Sequence, residues 1–463
     1  MNHALRRKTV VIGLDCAEPS LVFGRFRDKL PHIRALTESG WYGPLRSCDP
    51  PITVPAWSVM TSGRTPGELG IYGFRNRASR DYDHTFIARG DAVTMPRLWD
   101  YVGQAGGTSI VIGVPQSWPS SPIRGYLVGG LFADPATGFT QPATLGKRIR
   151  QNWPDYQTDV VDFRQKNKHK LLEQIHRMTR IRFETAAYMM RRYPWDFFMM
   201  VEIGLDRIQH AFWQYMDTDS PYYQADSDWE DVILDYYILL DNLIGEWLCD
   251  IPPESDLWLV SDHGAQTMRG LLRLNQWLID KGYLTLKYEP ETSAMLRPEW
   301  VDWSRTRVWA DGGYYGRLWF NVKNREPRGI VAREDIPALK KELIAAMSVI
   351  QTENGIIRAN RLSDPEKIYP AQRGIAPDLM LYADNLALRV SAAVGGTGAL
   401  FTLENDTGPD GANHAAEGLY LFRSGDRSSR GTHPASIYDV APAILKRMGL
   451  SAYKELPGDF PHV

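Results

Sequence analysis

Cysteine is scarce in this chain: only Cys16, Cys48 and Cys249 occur. Their spacing forms no metal motif, and an odd, sparse set argues against a disulfide framework and suits a reducing compartment. Long hydrophobic runs are missing as well, and no apolar stretch approaches the ~20 residues of a membrane span. An excess of one charge is missing too. The formal net charge of −2 gives no electrostatic reason to expect a nucleic-acid polymer or an anionic membrane as partner. The first residues, MNHALRRKTVVIGLD, carry basic groups and then an apolar run too short for a secretory segment with its cleavage site. That run reads as a first strand. There is no internal repeat. These exclusions point to a cytoplasmic protein acting on a small molecule, with a homodimer left open.

What is present is the alternation of an α/β protein. A length of 463 residues corresponds to about three ordinary domains, or equally to one large α/β core with insertions. KTVVIGLD at 8–15 is a β-branched run ending in an acid, as expected of a buried parallel strand. Similar runs follow at 108–114, 196–204 and 256–262, and helical apolar spacing separates them at 170–192 and 228–249. The pattern predicts a central, mostly parallel sheet sandwiched by helices. Residues 271–370 differ, being rich in aromatics, glycines and turn signals, and read as hairpins followed by a helix in EDIPALKKELIAAM. The expected organisation is a catalytic core of 1–270 and 371–463 with an inserted α+β lobe at 271–370. APDLMLYAD reads as a strand and ASIYDVAPAILKRMGL as a closing helix of the returning core. The basic run RQKNKHK at 164–170 reads as a solvated surface loop.

Several short stretches carry groups that do chemistry. In PPITVPAWS, Pro55 suits the first turn of a helix, so Thr53 falls at or next to the N-cap, facing the positive end of the helix dipole. By itself that is a plain cap, because a free threonine hydroxyl is a poor nucleophile. Asp206 and His210 lie four residues apart on a predicted helix and share one face. Asp262 and His263 end a predicted strand, where Gly264 allows the chain to turn both into one cleft. Asp15 ends the first strand, and His414 lies in the loop DGANHAAEG. Each alone has an ordinary structural explanation. Together they place acids at the carboxyl ends of separate strands, where open α/β sheets bind ligands. Oxygen and imidazole donors suit a hard or borderline divalent ion.

The order of these motifs resembles the alkaline phosphatase superfamily, and more closely its type I phosphodiesterase/nucleotide pyrophosphatase branch. GLDCAEP, TVPAWSVMTSGRTPGELGIYGF, DRIQHAFWQYMD and VSDHGAQ carry the resemblance, which extends over nearly the whole chain. It implies two divalent ions, usually zinc, with manganese or magnesium in some branches. One would be held by Asp206, His210 and His414, the other by Asp15, Asp262, His263 and the Thr53 oxygen. It further implies Thr53 as nucleophile toward a small-molecule phosphate ester, through a phosphothreonine intermediate. The Val54 amide could donate to a phosphoryl oxygen. The sequence departs from the nucleotide-cleaving members at Leu69, where a histidine is usual, and near Phe74 or Arg75, where an asparagine is. Arg64, Arg75 and Arg77 could bind an extra anionic charge there, Arg75 being the candidate contact, or could be surface residues. A sulfatase is disfavoured, because Trp57 occupies the arginine place of that branch. A phosphomutase and a catalytically silent metal-binding relative are the alternatives. The aromatics Trp213, Tyr215, Trp309, Tyr314 and Tyr315 read as packing rather than as a stacking rim.

Overall fold

The apolar run TVVIGL forms the strand Thr9–Leu14, and all of it is buried. It pairs in parallel with Phe197–Glu202 on one side and Asp256–Val260 on the other. Ser109–Ile112 and Gly125–Val128 extend the parallel run beyond Phe197–Glu202. On the opposite side the sheet becomes mixed, because Glu417–Arg423 runs antiparallel to both Asp256–Val260 and Trp41–Arg46. The computed structural model describes residue 5, residues 7–426 and residues 429–460. Most of the basic N-terminal stretch lies outside the described residues. Among the described residues the central sheet has ten strands. The α/β architecture expected from the alternating pattern is therefore present, and the strands read at 8–15, 108–114, 196–204 and 256–262 are its parallel heart.

The helices Lys168–Arg192, Gly204–Met216 and Val232–Leu248 pack on one another, and Thr53–Ser62 packs on Ile437–Met448. Lys168–Arg192 starts within the basic run, where the Asn167 side chain accepts from the Lys170 amide at 3.0 Å. The run is therefore only partly loop.

The aromatic, turn-rich region builds a second apolar core. Val308–Asp311 and Gly316–Phe320 form a hairpin, and Leu379–Tyr382 and Arg361–Ser363 complete a four-stranded antiparallel sheet. Leu339, Leu343 and Met347 of the helix Ile336–Met347 share the apolar cluster of that sheet. The strand in APDLMLYAD thus joins the lobe rather than the returning core, and the second core continues to Leu388 and Val390. An apolar run buried on both faces reads the same whichever sheet receives it, so the expected boundary at 370 falls inside this sheet. Tyr82, from the N-terminal half, stacks on Trp303 at 3.5 Å. A smaller cluster including Ile52, Tyr72, Tyr315 and Tyr382 joins the lobe to the residue before Thr53.

Candidate active site

Three neighbouring parallel strands deliver three carboxylates to one place. Asp15 follows Thr9–Leu14, Asp262 lies just past Asp256–Val260, and Asp206 opens the helix that follows Phe197–Glu202. The Asp15 amide donates to the Glu202 carbonyl at 2.9 Å, and the Cys16 amide donates to Asp262 Oδ1 at 3.3 Å. These are the carboxyl ends of the sheet, where side chains leave the strands and can face a ligand.

The histidines arrive by three routes. His210 stands one turn beyond Asp206, with Nε2 3.3 Å from Asp206 Oδ1. His263 Nε2 lies 3.2 Å from Asp262 Oδ2 and 3.7 Å from Asp15 Oδ1. After His263 the chain turns into Gly264–Thr267, which pairs antiparallel with Ala412–Ala415 and sets Ala265 opposite His414. That ribbon stacks the His263 and His414 rings at 3.7 Å. His414 Nε2 is then 3.3 Å from His210 Nε2 and 3.8 Å from Asp206 Oδ1.

Thr53 is the first residue of the helix Thr53–Ser62, preceded by extended Ile52, with Pro55 in the first turn. Its Oγ1 lies 3.2 Å from His263 Nε2. The first-turn amides, Val54 among them, have no acceptor inside the helix, so this end favours anions.

All six aspartates and histidines are buried, as is Thr53. Burial raises the pKa of Asp15 and Asp262 well above the ordinary carboxyl range, and the crowding of carboxylates adds to it. Asp206 moves the other way. Burial alone would raise it, but His210 and Arg207 hold it well below the usual range. Burial lowers His263 to about 4 and His414 well below its ordinary value, so both are neutral near pH 7. Burial would lower His210 too, yet Asp410, Tyr314 and Asp206 raise it well above its ordinary value.

The donor set fits a divalent cation. Asp15 Oδ1, Asp206 Oδ1 and Asp262 Oδ2 are buried with no hydrogen-bond partner, a costly state that a cation relieves. Each histidine turns its Nδ1 away onto an acceptor: Asp410 Oδ1 at 2.7 Å for His210, the Gly264 carbonyl at 3.1 Å for His263 and the Pro51 carbonyl at 3.0 Å for His414. Nδ1 must then carry the proton, which leaves Nε2 to face the carboxylates as a ligand. Two groupings bring their ligand atoms within 4.8 Å of one another: Asp206, His210 and His414, and Asp15, Asp206 and His263. Asp206 thus stands with both, and Asp262 adjoins the second through His263.

The model of the family described as type I phosphodiesterase / nucleotide pyrophosphatase matches residues 9–396. The chain belongs to that family. Membership places it among phosphoester hydrolases. No curated protein matches it. Human ectonucleotide pyrophosphatase/phosphodiesterase 5 shares the fold with a TM-score of 0.56 at 14% identity, over 99% of this chain and 97% of that one. The murine counterpart, in an inactive threonine-to-alanine form in complex with AMP, gives 0.55 at 12%, over 99% and 98%. Phosphonoacetate hydrolase from Sinorhizobium meliloti, in complex with phosphonoformate, gives 0.57 at 12%, over 96% of each chain. Among the described residues of this phosphodiesterase-family chain, no helix is long and apolar enough to cross a membrane.

The other sequence candidates lie apart from the ligand cluster. Arg64 pairs with Glu68 at 3.4 Å. Arg77 is buried 3.6 Å from Glu326, against the rings of Trp309 and Trp319. Arg75 is exposed on a short hairpin, and its carbonyl accepts from Arg317. Leu69 is buried. The nearby Asn76 is also buried, its Oδ1 accepting from the Tyr72 amide at 2.8 Å. Trp213 and Tyr215 are core residues, and the Tyr315 hydroxyl donates to the Tyr72 carbonyl. Tyr314 is the exception among the aromatics. It stacks on His414 at 4.0 Å and lies 5.6 Å from His210, which carries the lobe to the edge of the site.

Sequence reasoning missed the layer behind the ligands. Trp57 donates to Asp15 Oδ2 at 2.8 Å, and Arg207 donates to Asp206 Oδ2 at 2.7 Å. Asp410 accepts from His210, and Arg164, from the run expected to be a solvated loop, donates to Asp410 at 2.8 Å. The spacing of Trp57 from Thr53, one helical turn, was the available hint. Arg207, Asp410 and Arg164 had no local signal.

Proposed function

We propose that the protein is a two-metal phosphoric-ester hydrolase in which Thr53 is the nucleophile. The observation that carries the reading is the position of Thr53 Oγ1, 3.2 Å from His263 Nε2 beside three unpartnered carboxylate oxygens. Asp206, His210 and His414 would hold one ion, and Asp15, Asp262, His263 and Thr53 the other, with zinc as the expected metal and manganese or magnesium as alternatives. When bound, such ions supply Lewis-acid charge that lowers the pKa of an oxygen ligand and offsets charge at phosphorus.

The protein's own residues do the rest. Thr53 Oγ1 loses its proton and attacks phosphorus in line, forming a phosphothreonine and expelling the alcohol. Water then cleaves the new P–O bond, restoring the threonine hydroxyl and releasing the phosphoryl product. The Val54 amide, at the positive end of the helix, donates to a phosphoryl oxygen. Buried walls exclude bulk water from the carboxylates and strengthen every charge interaction there. The sparse, odd set of three cysteines is the ground for a cytoplasmic setting.

The test is turnover of paired chromogenic phosphate monoesters and diesters by zinc- or manganese-loaded protein, with Thr53→Ala as control. The panel includes a nucleotide and a phosphonate, the ligand classes of the two kinds of structural neighbour. Metal-dependent turnover that Thr53→Ala abolishes supports the reading, and the preferred substrate distinguishes phosphatase from phosphodiesterase. Full activity in Thr53→Ala sinks it.

A further inference from the structure

Of the three histidines in the site, His210 alone has a charged partner behind it. His263 and His414 turn Nδ1 onto backbone carbonyls, whereas His210 turns Nδ1 onto the Asp410 carboxylate at 2.7 Å. Asp410 is buried, and it lies outside the set of six ligands. Its other oxygen is fixed from two sides. Arg164 donates to Oδ2 through Nε at 3.1 Å and Nη2 at 2.8 Å, and Arg389 donates through Nη1 at 3.3 Å. Arg389 belongs to the strand Leu388–Ser391 of the lobe, and its guanidinium lies over the Tyr314 ring at 5.0 Å. Arg164 Nη2 is 3.4 Å from the Tyr314 hydroxyl.

We propose that Asp410 is a positioning residue, whose carboxylate accepts the Nδ1 proton of His210 and so aims His210 Nε2 at the ion shared with Asp206 and His414. The inference rests on the reading of His210 as a metal ligand. A carboxylate behind a ligating imidazole fixes its tautomer and ring orientation and raises its basicity. A backbone carbonyl fixes the tautomer with less charge, so His210 is the strongest imidazole donor of the three. The two arginines occupy Asp410 Oδ2 and leave Oδ1 to face His210 Nδ1. The same two arginines carry Tyr314, so the lobe and the loop before Lys168–Arg192 bear on the metal group through one carboxylate. A rival reading makes Asp410 an anchor for its own loop, since Oδ1 also lies 3.4 Å from the Ala412 amide.

The experiment is competitive titration of the full-length apo-protein with zinc against a chromophoric chelator, together with visible spectra of the cobalt(II)-loaded form. Wild type, His210→Ala, Asp410→Asn, Asp410→Ala and Arg164→Gln are compared. The expected result is that His210→Ala loses one of two equivalents. Asp410→Asn keeps both but binds that one about 10- to 100-fold more weakly. The cobalt spectrum changes in the same equivalent, and Arg164→Gln weakens it to a smaller extent. If both Asp410 variants leave the affinities and the spectrum unchanged while His210→Ala loses its equivalent, Asp410 is only a loop anchor and the proposal is overturned. Equal weakening of both equivalents also counts against it, because that is a general loosening of the fold. If His210→Ala retains both equivalents, the ligand assignment itself fails and this proposal falls with it.

Discussion

The indole Nε1 of Trp57 donates to Asp15 Oδ2 across 2.8 Å, with both side chains buried. This bond ties the helix that begins at Thr53 to the end of the central strand. It occupies one oxygen of Asp15 and leaves Oδ1 unpartnered and turned toward the site. The ring of Trp57 also accounts for the glycine inside the β-branched run VVIGL. A Cβ at Gly13 would stand 2.5 Å from Trp57 Cη2 and 2.8 Å from Val201 Cγ2.

Two substitutions separate these effects. Trp57→Phe keeps most of the packing and removes the hydrogen bond to a carboxylate, an interaction worth about 1.5–3 kcal/mol. It should weaken zinc binding at the Asp15 group and leave the His210 group unchanged, as read by competitive titration. Gly13→Ala should destabilise the fold by about 1–3 kcal/mol through overpacking. Urea unfolding of Gly13→Ala with an unchanged midpoint would show that the close approach of Trp57 does not constrain this position.

Thr53→Ala should lower turnover by at least about a thousandfold, as loss of a nucleophile does in other covalent hydrolases. Its effect on stability should stay within about 1 kcal/mol, because Thr53 Oγ1 faces the His263 ring of the site rather than a backbone amide of its helix. Mass spectrometry of the wild type quenched during turnover should find phosphate on the peptide carrying Thr53. Phosphate on any other residue would move the nucleophile elsewhere.

Zinc binding should release protons at neutral pH. His210 is held protonated above its ordinary value once Asp410, Tyr314 and Asp206 outweigh its burial. Asp15 is raised by burial and by the nearby Asp206, and Asp262 by burial and by Asp15. A ligand must be deprotonated to bind metal, so each ion displaces protons from these groups. His263, lowered by burial to about 4, and His414, lowered by burial well below its ordinary value, are already neutral and contribute none. The sign follows: below the raised pKa of His210 the apparent affinity falls as pH falls, about tenfold per pH unit for each proton displaced. Above that pKa the dependence on His210 disappears. Calorimetry in two buffers of different ionisation enthalpy measures the release. Proton uptake at pH 7 would contradict this account of the site's charge.

Much of this was legible in the sequence because it is local. The four-residue spacing of Asp206 and His210 fixes a shared helix face, since the helical repeat is 3.6 residues. An acid closing a β-branched run marks the carboxyl end of a parallel strand, which is how Asp15 and Asp262 could be named together. Pro55 marked the start of the helix, so Thr53 fell at its positive end. The motif order was enough to suggest the phosphodiesterase family, which the match over residues 9–396 bears out. The lobe was visible as a change in composition, but not where it ended. Leu379–Tyr382 is an apolar run that suits either core, and only its pairing with Gly316–Phe320 and Arg361–Ser363 assigns it to the lobe.

Tertiary structure alone decided the approach of residues far apart in the chain. His414 reaches His263 because two short strands pair antiparallel, a register no local pattern encodes. Arg164 leaves an apparently solvated basic run to meet Asp410 behind His210. Tyr314 became the one predicted packing aromatic that closes on the site. The physical reason is the same in each case. Periodicity and capping act within a few residues and report which face a side chain takes. The partner of a buried charge is chosen by whatever the fold brings within hydrogen-bond reach, and that choice appears only once the sheet, the ribbon and the lobe have been assembled.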